Sequence, residues 1–296
     1  MGRNRSLFLA LVVCLLTSGC ANQFFYYPDR KVYHSPREYD LQYESVFFPS
    51  QDDTKLHGWV LRGRPQALGT VIFFHGNARN MTANLPLYAW LPAEGFNVFV
   101  FDYRGYGRSE GRPDRQGVHE DSVAAFEYVL TRTDLERPLF VLAQSLGGAT
   151  AIAALGQNDF PVEAVVVDSS FYSYRKIARD TMSDIPLLSM FRFPLSLTIS
   201  NRHSPASFID RLAPTPLCLI HGTSDDVVPY EHSILLYEQA KEPKELWLIE
   251  RGGHVDALRK PDSVYRKKLS SFFRRALEKT GSQTARQAEI TVSHAP

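Results

Sequence analysis

Leu139-Phe140-Val141-Leu142-Ala143 is an apolar run that meets Gln144 and Ser145, then Leu146-Gly147-Gly148-Ala149 and an alanine-rich stretch to residue 156. The pattern specifies a strand buried on both faces that turns sharply into a helix. In so tight a turn the residues two positions either side of the apex approach one another closely, so both must be small. Ala143 and Gly147 meet that demand around Ser145. The geometry lifts the Ser145 hydroxyl above a sheet edge and aims the unsatisfied N–H groups of the helix start at any oxyanion formed there. The competing reading is structural, because serine is also a favoured helix N-cap.

The rest of the chain supplies the sheet. Short β-branched and aromatic runs at 44–48, 56–62, 70–75, 97–102, 139–143, 164–168, 217–221 and 245–249 alternate with longer amphipathic stretches, as βα units of a mostly parallel sheet do. The polar turn 50–54 joins the first two as an antiparallel edge hairpin. Helices are expected at 83–94, 117–131, 146–156, 230–242 and 262–279, with Val123, Phe126, Val129 and Leu130 on one stripe of the second and Pro261 opening the last. Between 171 and 214 the pattern breaks at Pro186, Pro194 and Pro205 around an apolar cluster at 185–193. This segment reads equally as a small lid over the sheet and as a long packed connection. The expected domain spans 43–279, and the polar, aperiodic 280–296 is expected to be disordered.

Three further strand ends carry candidate chemistry. After the third strand, His75-Gly76-Asn77 offers the Asn77 backbone N–H as a second oxyanion donor, with Gly76 permitting the turn and His75 structural. After the seventh come Asp225 and Asp226; an acid that orients a histidine must be fixed at such a strand end, and Asp225 is preferred. Asp102 and Asp168 also end apolar strands and are rivals, expected instead to bind neighbouring loop N–H groups. After the last strand, Gly252-Gly253-His254 places a base over the carboxyl ends of the strands, where open α/β sheets bind ligands. His232 falls inside a helix and His294 in the tail. The order Ser145, Asp225, His254 is the hydrolase order.

These residues resemble the α/β-hydrolase superfamily, and within it the serine aminopeptidase-like branch that includes lipoprotein esterases and depalmitoylase-like enzymes. The resemblance runs from about 43 to 276. It rests on His75-Gly76-Asn77-Ala78, Asp102-Tyr103-Arg104-Gly105-Tyr106-Gly107-Arg108-Ser109-Glu110-Gly111, Gln144-Ser145-Leu146-Gly147-Gly148, His221-Gly222-x-x-Asp225 and Gly253-His254. It implies an α/β-hydrolase fold: a mostly parallel eight-stranded sheet, helices on both faces and a small lid-like insertion. It also implies Ser145 as nucleophile, Asp225 as acid, His254 as base and the N–H groups of Asn77 and Leu146 as oxyanion hole. Ala143 stands where the branch usually has glycine.

Residues 1–19 read as an address. Arg3 and Arg5 precede ten apolar residues from Leu7 to Leu16, too few to span a bilayer, and Thr17-Ser18-Gly19-Cys20 follows. The placement of Cys20 resembles a bacterial lipoprotein signal, which implies lipidation there, an N-terminal tether over 20–42 and a cell-envelope location; Ala21-Asn22 follows the cysteine with no Asp beside it, which by the same resemblance implies the outer membrane if the host is Gram-negative. Plain cleavage nearby and an uncleaved anchor are the alternatives. Of the three cysteines, Cys14 leaves with the signal and Cys218 lies in an apolar strand as an inert thiol. No pair has metal-ligand spacing, which excludes a zinc site or disulfide framework. With 33 Lys and Arg against 32 Asp and Glu, no basic field exists to collect nucleic acid. Gly105-x-Gly107 lacks the spacing of a dinucleotide loop, and no cofactor is expected.

The sequence therefore points to a membrane-tethered serine hydrolase of esters or thioesters, acting on a small or acylated substrate. A serine aminopeptidase would need an acidic anchor for the substrate amine, and 171–214 holds only Asp180, Asp184 and Asp210. A non-catalytic envelope lipoprotein on the same fold is the third reading.

Overall fold

The computed structural model describes residues 25–183 and 189–293. The segment expected to be an export signal, Cys20, Asp184 and His294 lie outside the described residues. In chain order the strands are β1 (Tyr27–Pro28), β2 (Tyr43–Pro49), β3 (Lys55–Leu61), β4 (Thr70–Phe74), β5 (Ala78–Arg79), β6 (Asn97–Asp102), β7 (Leu139–Gln144), β8 (Val162–Asp168), β9 (Leu217–Gly222) and β10 (Lys244–Ile249). Seven α-helices are described: α1 (Leu85–Tyr88), α2 (Arg115–Thr131), α3 (Leu146–Gln157), α4 (Tyr174–Ser183), α5 (Arg192–Leu197), α6 (Glu231–Gln239) and α7 (Val264–Ser293).

Eight strands form one sheet in the order β10-β9-β8-β7-β4-β6-β3-β2, and β1 pairs with β5 in a separate two-stranded ribbon. β3 alone runs opposite to the other seven strands of the large sheet, and it closes the edge hairpin with β2. The middles of the central strands are continuously apolar, with polar residues confined to their ends, because both faces are covered. In β4, β7 and β8 the side chains of Ile72, Phe74, Val141, Ala143, Val165 and Val167 join one core with α2, α3 and α4. Their alternates Val71, Phe73, Phe140, Leu142, Ala164 and Val166 join the other, with α1 and α7. Cys218 lies fully buried in that second core, where burial pushes its thiol pKa well up.

The helices depart from expectation where prolines and caps intervene. Instead of one helix over 83–94 there is a 3₁₀ turn, Met81–Asn84, and the single turn α1. Pro92 disfavours helical backbone at the residue before it and stops the run. The last helix opens at Val264, with the Ser263 hydroxyl accepting the Tyr265 N–H at 3.2 Å, so Pro261 lies outside it. It then continues to Ser293, past the boundary expected at 279 and into the stretch expected to be disordered. The Ala, Arg, Gln and Glu residues from 282 to 289 are good helix formers, which a search for an apolar stripe overlooks.

Within 171–214, α4 and α5 pack together, tied by Arg179 Nε donating to Ser196 Oγ at 3.2 Å. The base of α4 is pinned by His232, whose Nδ1 accepts the Tyr172 N–H and whose Nε2 lies 2.8 Å from Asp180 Oδ2. Residues 25–42 are not a bare lead-in. Phe25 and Tyr26 are buried, and β1 is stitched to β5 just after the β4 loop.

Candidate active site

β7 delivers Ser145 at its carboxyl end with φ 51° and ψ −118°, a left-handed conformation costly for any residue but glycine. The Ser145 N–H donates to the Asp168 carbonyl at 2.8 Å, which fastens the elbow to β8. A β-carbon at Gly147 would lie 2.6 Å from the Phe74 carbonyl carbon and 2.7 Å from the His75 oxygen, and closer still to the Phe74 oxygen. The first turn of α3 therefore rests directly on the backbone of β4. Leu146 is the first residue of α3, so its N–H has no intrahelical partner. Ser145 is no side-chain cap of α3, and among the described residues its hydroxyl makes no hydrogen bond.

Across from it lies the loop after β4. The Asn77 carbonyl accepts hydrogen bonds from Tyr27 N–H at 2.9 Å and from Tyr106 Oη at 2.8 Å, and Tyr103 Oη donates to the His75 carbonyl at 3.2 Å. The Tyr103–Tyr106 loop and β1 thus brace the Asn77 segment from two sides. Gly76 is less demanding than expected: its φ is not left-handed, and a β-carbon there would make ordinary contacts with Gln144 and Ser145.

His254 and Asp225 meet because β9 and the last loop touch backbone to backbone. A β-carbon at Gly222 would lie 2.5 Å from the Gly253 carbonyl oxygen, and the Ser224 N–H donates to the Gly252 carbonyl at 2.8 Å. His254 Nδ1 then donates to Asp225 Oδ2 at 2.7 Å, leaving Nε2 as the ring's acceptor. Asp225 Oδ1 accepts the N–H groups of Val227 and Val228 at 2.9 and 2.8 Å. Its carboxylate is fully buried. Burial alone would raise the pKa, but hydrogen bonds from His221, His254 and the Val228 N–H hold it well below the usual carboxylate range.

His221, which the sequence offers only within the His-Gly-x-x-Asp motif, completes the arrangement. Its Nε2 lies 3.1 Å from Asp225 Oδ2 and 2.8 Å from the Val228 carbonyl, while Nδ1 accepts from the Ser233 hydroxyl at 2.6 Å. Asp225 is thus held from four directions, whereas Asp226 is exposed. A histidine at the end of an apolar strand, four residues before a carboxylate, was the available signal.

The rivals serve elsewhere. Asp102 accepts the Met81 N–H at 2.7 Å, and burial raises its pKa to about 7. His75, 3.5 Å from it, donates Nδ1–H to the Gly76 carbonyl; burial lowers its pKa to about 4, so it stays neutral. Asp168 departs from expectation: its carboxyl binds no loop N–H but accepts the Ser169 hydroxyl at 3.0 Å, and Oδ2 has no partner among the described residues. Burial raises its pKa to about 6. Ser169 Oγ in turn accepts the Val255 N–H at 3.2 Å, tying β8 to the His254 loop.

Two cavities open at Ser145. One, of about 380 Å³, is lined by Ser145, His254, Gln144, Asn77, Asn84, Arg79 and Arg259. The other, of about 340 Å³, is walled by Phe25, Tyr27, Leu146, Phe171, Ile177 and Val228, with Thr181 and Asp226 also in its lining. Phe25 and Tyr27 belong to the segment expected only to lead in; the aromatic run Phe25-Tyr26-Tyr27 was the sequence signal for its docking. Among the described residues no cluster of His, Cys, Asp and Glu is arranged to hold a metal ion.

A family model described as serine aminopeptidase, S33, matches residues 65–207. The uncharacterized protein YfhR of Escherichia coli K12 is 39% identical over 278 residues, covering 92% of this chain and 93% of its own. WAV2 of Arabidopsis thaliana, an α/β hydrolase domain-containing protein, is 31% identical over 266 residues, 85% of each chain. Among solved structures, an esterase of Pyrococcus furiosus has a TM-score of 0.66 at 24% identity, covering 84% of this chain and 98% of its own. This chain belongs to the α/β-hydrolase superfamily. It is by family a hydrolase, built on a fold that solved esterases share.

Proposed function

We propose that the protein is a serine esterase or thioesterase that works through an acyl-enzyme on Ser145. The observation that carries this is the placing of His254, held through Nδ1 by the buried Asp225, on the same cavity wall as the Ser145 elbow. His254 Nε2 takes the hydroxyl proton as Ser145 Oγ bonds to the acyl carbon, and the N–H groups of Asn77 and Leu146 receive the oxyanion. The bond to the leaving oxygen or sulfur then breaks as His254 returns the proton to it. Water repeats the sequence: His254 takes a proton, the acyl carbon accepts hydroxide, and Ser145 leaves with the proton restored. A neutral Ser145 hydroxyl without a partner suits this, since catalytic hydrogen bonds often tighten only when substrate binds.

The peptidase reading has less support. Asp180, a candidate amine anchor, is engaged by Lys176 and His232, and Asp226 is the one carboxylate lining either cavity among the described residues. Labelling by a fluorophosphonate and turnover of short-chain nitrophenyl esters should both vanish in Ser145→Ala, by about 10⁶ in kcat if the triad acts as a unit. Ordinary turnover in that variant sinks the reading, and faster cleavage of aminoacyl-naphthylamides than of esters favours the peptidase.

Membrane attachment through Cys20 is part of the proposal. Among the described residues no helix is long and apolar enough to cross a bilayer. Phe25, in the wall of the apolar cavity, follows Cys20 by five residues, at most about 18 Å of extended chain. A lipid on Cys20 would hold the mouth of the site against the membrane surface. Fractionation tests it: Cys20→Ala should move from membrane to soluble fractions, and an unchanged distribution refutes the anchor.

A further inference from the structure

We infer that the ester's alcohol portion is anionic: the preferred substrates are acyl esters whose leaving group carries a carboxylate or phosphate. This rests on the hydrolase reading above. The base that returns a proton to the departing oxygen must lie against the leaving group. The cavity that holds His254 is therefore the leaving-group side, and the apolar cavity walled by Phe25, Phe171 and Ile177 is left for the acyl chain.

The two sides differ in charge as well as polarity. Arg79 and Arg259 both line the His254 cavity, and no carboxylate does among the described residues. The Arg79 guanidinium lies over the Tyr33 ring, 5.1 Å from its centroid, and makes no ion pair among the described residues. That cation rests on an aromatic face and, among the described residues, pairs directly with no acid; the nearby Asp29 carboxylate is taken up by the Tyr33 hydroxyl and the Asn80 amide. Arg79 is also anchored through its backbone, since β5 carries it in register with Pro28 of β1. Arg259 is only loosely engaged, with Nε 3.8 Å from Asp256 Oδ1 and both side chains at least half exposed. Both guanidiniums retain donors for an anion, and arginine matches carboxylate and phosphate oxygens two at a time. Gln144 Oε1, buried and without a partner among the described residues, adds an acceptor for a hydroxyl on the same alcohol.

Two matched pairs of esters test this in the full-length protein. A 4-acyloxybenzoate is compared with its methyl ester, and a monoacylglycerol 3-phosphate with the corresponding monoacylglycerol, each rate normalised to hydroxide-catalysed hydrolysis. The expected result is a preference in kcat/KM of about tenfold for the anionic member at low salt, shrinking as salt screens the charges. Preference confined to the carboxylate pair or to the phosphate pair supports the inference and identifies the source of the anion. In the double variant Arg79→Gln, Arg259→Gln the preference should fall close to one. Unchanged thermal unfolding checks that the variant is folded. Equal normalised rates within both pairs, or a preference that survives the double variant, overturns the inference while leaving the hydrolase reading intact. Failure of all four esters together with absence of fluorophosphonate labelling would instead overturn the hydrolase reading.

Discussion

Replacing Gly147 with alanine tests how the elbow positions its donors. The new methyl would sit 2.7 Å from the His75 oxygen, against about 3.4 Å for ordinary contact, so α3 must retreat from β4 by about 0.7 Å or more. That separates Leu146 at the helix start from Asn77 on the loop after β4, the two proposed oxyanion donors. Overpacking of this kind costs about 1–3 kcal/mol. Alanine's better helix propensity offsets about 0.5–1 kcal/mol of it. The net loss, between about 0 and 2.5 kcal/mol, corresponds to a fall of at most roughly 10 °C in Tm for a domain of this size. Misplacement approaching 1 Å costs about 10²-fold in rate, so kcat/KM on a short-chain nitrophenyl ester should drop far more than stability does. Ala143→Gly is the control, because it removes a methyl from the other flank of the elbow without pushing α3; it should stay within a few-fold of wild-type activity. Gly147→Ala with wild-type kcat/KM would refute the claim that contact between α3 and β4 sets the oxyanion geometry.

Three other perturbations bear on the site. Asp225→Asn would leave His254 Nδ1 facing an amide and should lower kcat by about 10⁴, whereas His221→Gln should cost less and shift the pH–rate profile; equal losses would show that His221 does more than orient Asp225. For Asp102, burial lifts the folded pKa from 3.8 to about 7, so its contribution favours the fold below about pH 4 and is lost as pH rises to 7. The stability of wild type relative to Asp102→Asn should therefore decline across that window in chemical denaturation, and a flat difference would contradict the burial argument. Phe25→Ala removes part of the apolar wall; it should destabilise by about 3 kcal/mol or more and raise KM for long-chain esters more than for short ones, while equal effects on both would argue against an acyl site there.

The central strands were legible because burial on both faces leaves an uninterrupted apolar run, as in Val71-Ile72-Phe73-Phe74, and the edge strands because β-branched and aromatic residues recur in them. Their carboxyl ends then presented Ser145, Asp225 and His254; Ser145 and His254 line one cavity, and Asp225 is bonded to His254 behind it. What distinguishes Asp225 from Asp226 is less visible in sequence, since it depends on the N–H groups of Val227 and Val228 and on His221 across the loop. Helix boundaries failed where local chemistry overrode periodicity, at Pro92 and at the Ser263 cap. The docking of Phe25 and Tyr27 was missed because two-residue strands carry no periodicity; their pairing with Ala78 and Arg79 is a tertiary fact.

Among the described residues, nine other than glycine have positive φ, and five of these, Arg79, Ser145, Ser169, Arg251 and Val255, sit at the strand ends around Ser145. Each such conformation costs about 1 kcal/mol or more, so together they cost on the order of 5 kcal/mol, comparable with the whole net stability of many domains. Glycine at any of the five would relax the backbone, and a search that ranked variants by melting temperature alone would accept those changes first. Thermal robustness and turnover therefore pull against each other at these positions, and any programme to harden this protein should leave the five untouched and look to the helices and the far ends of the strands.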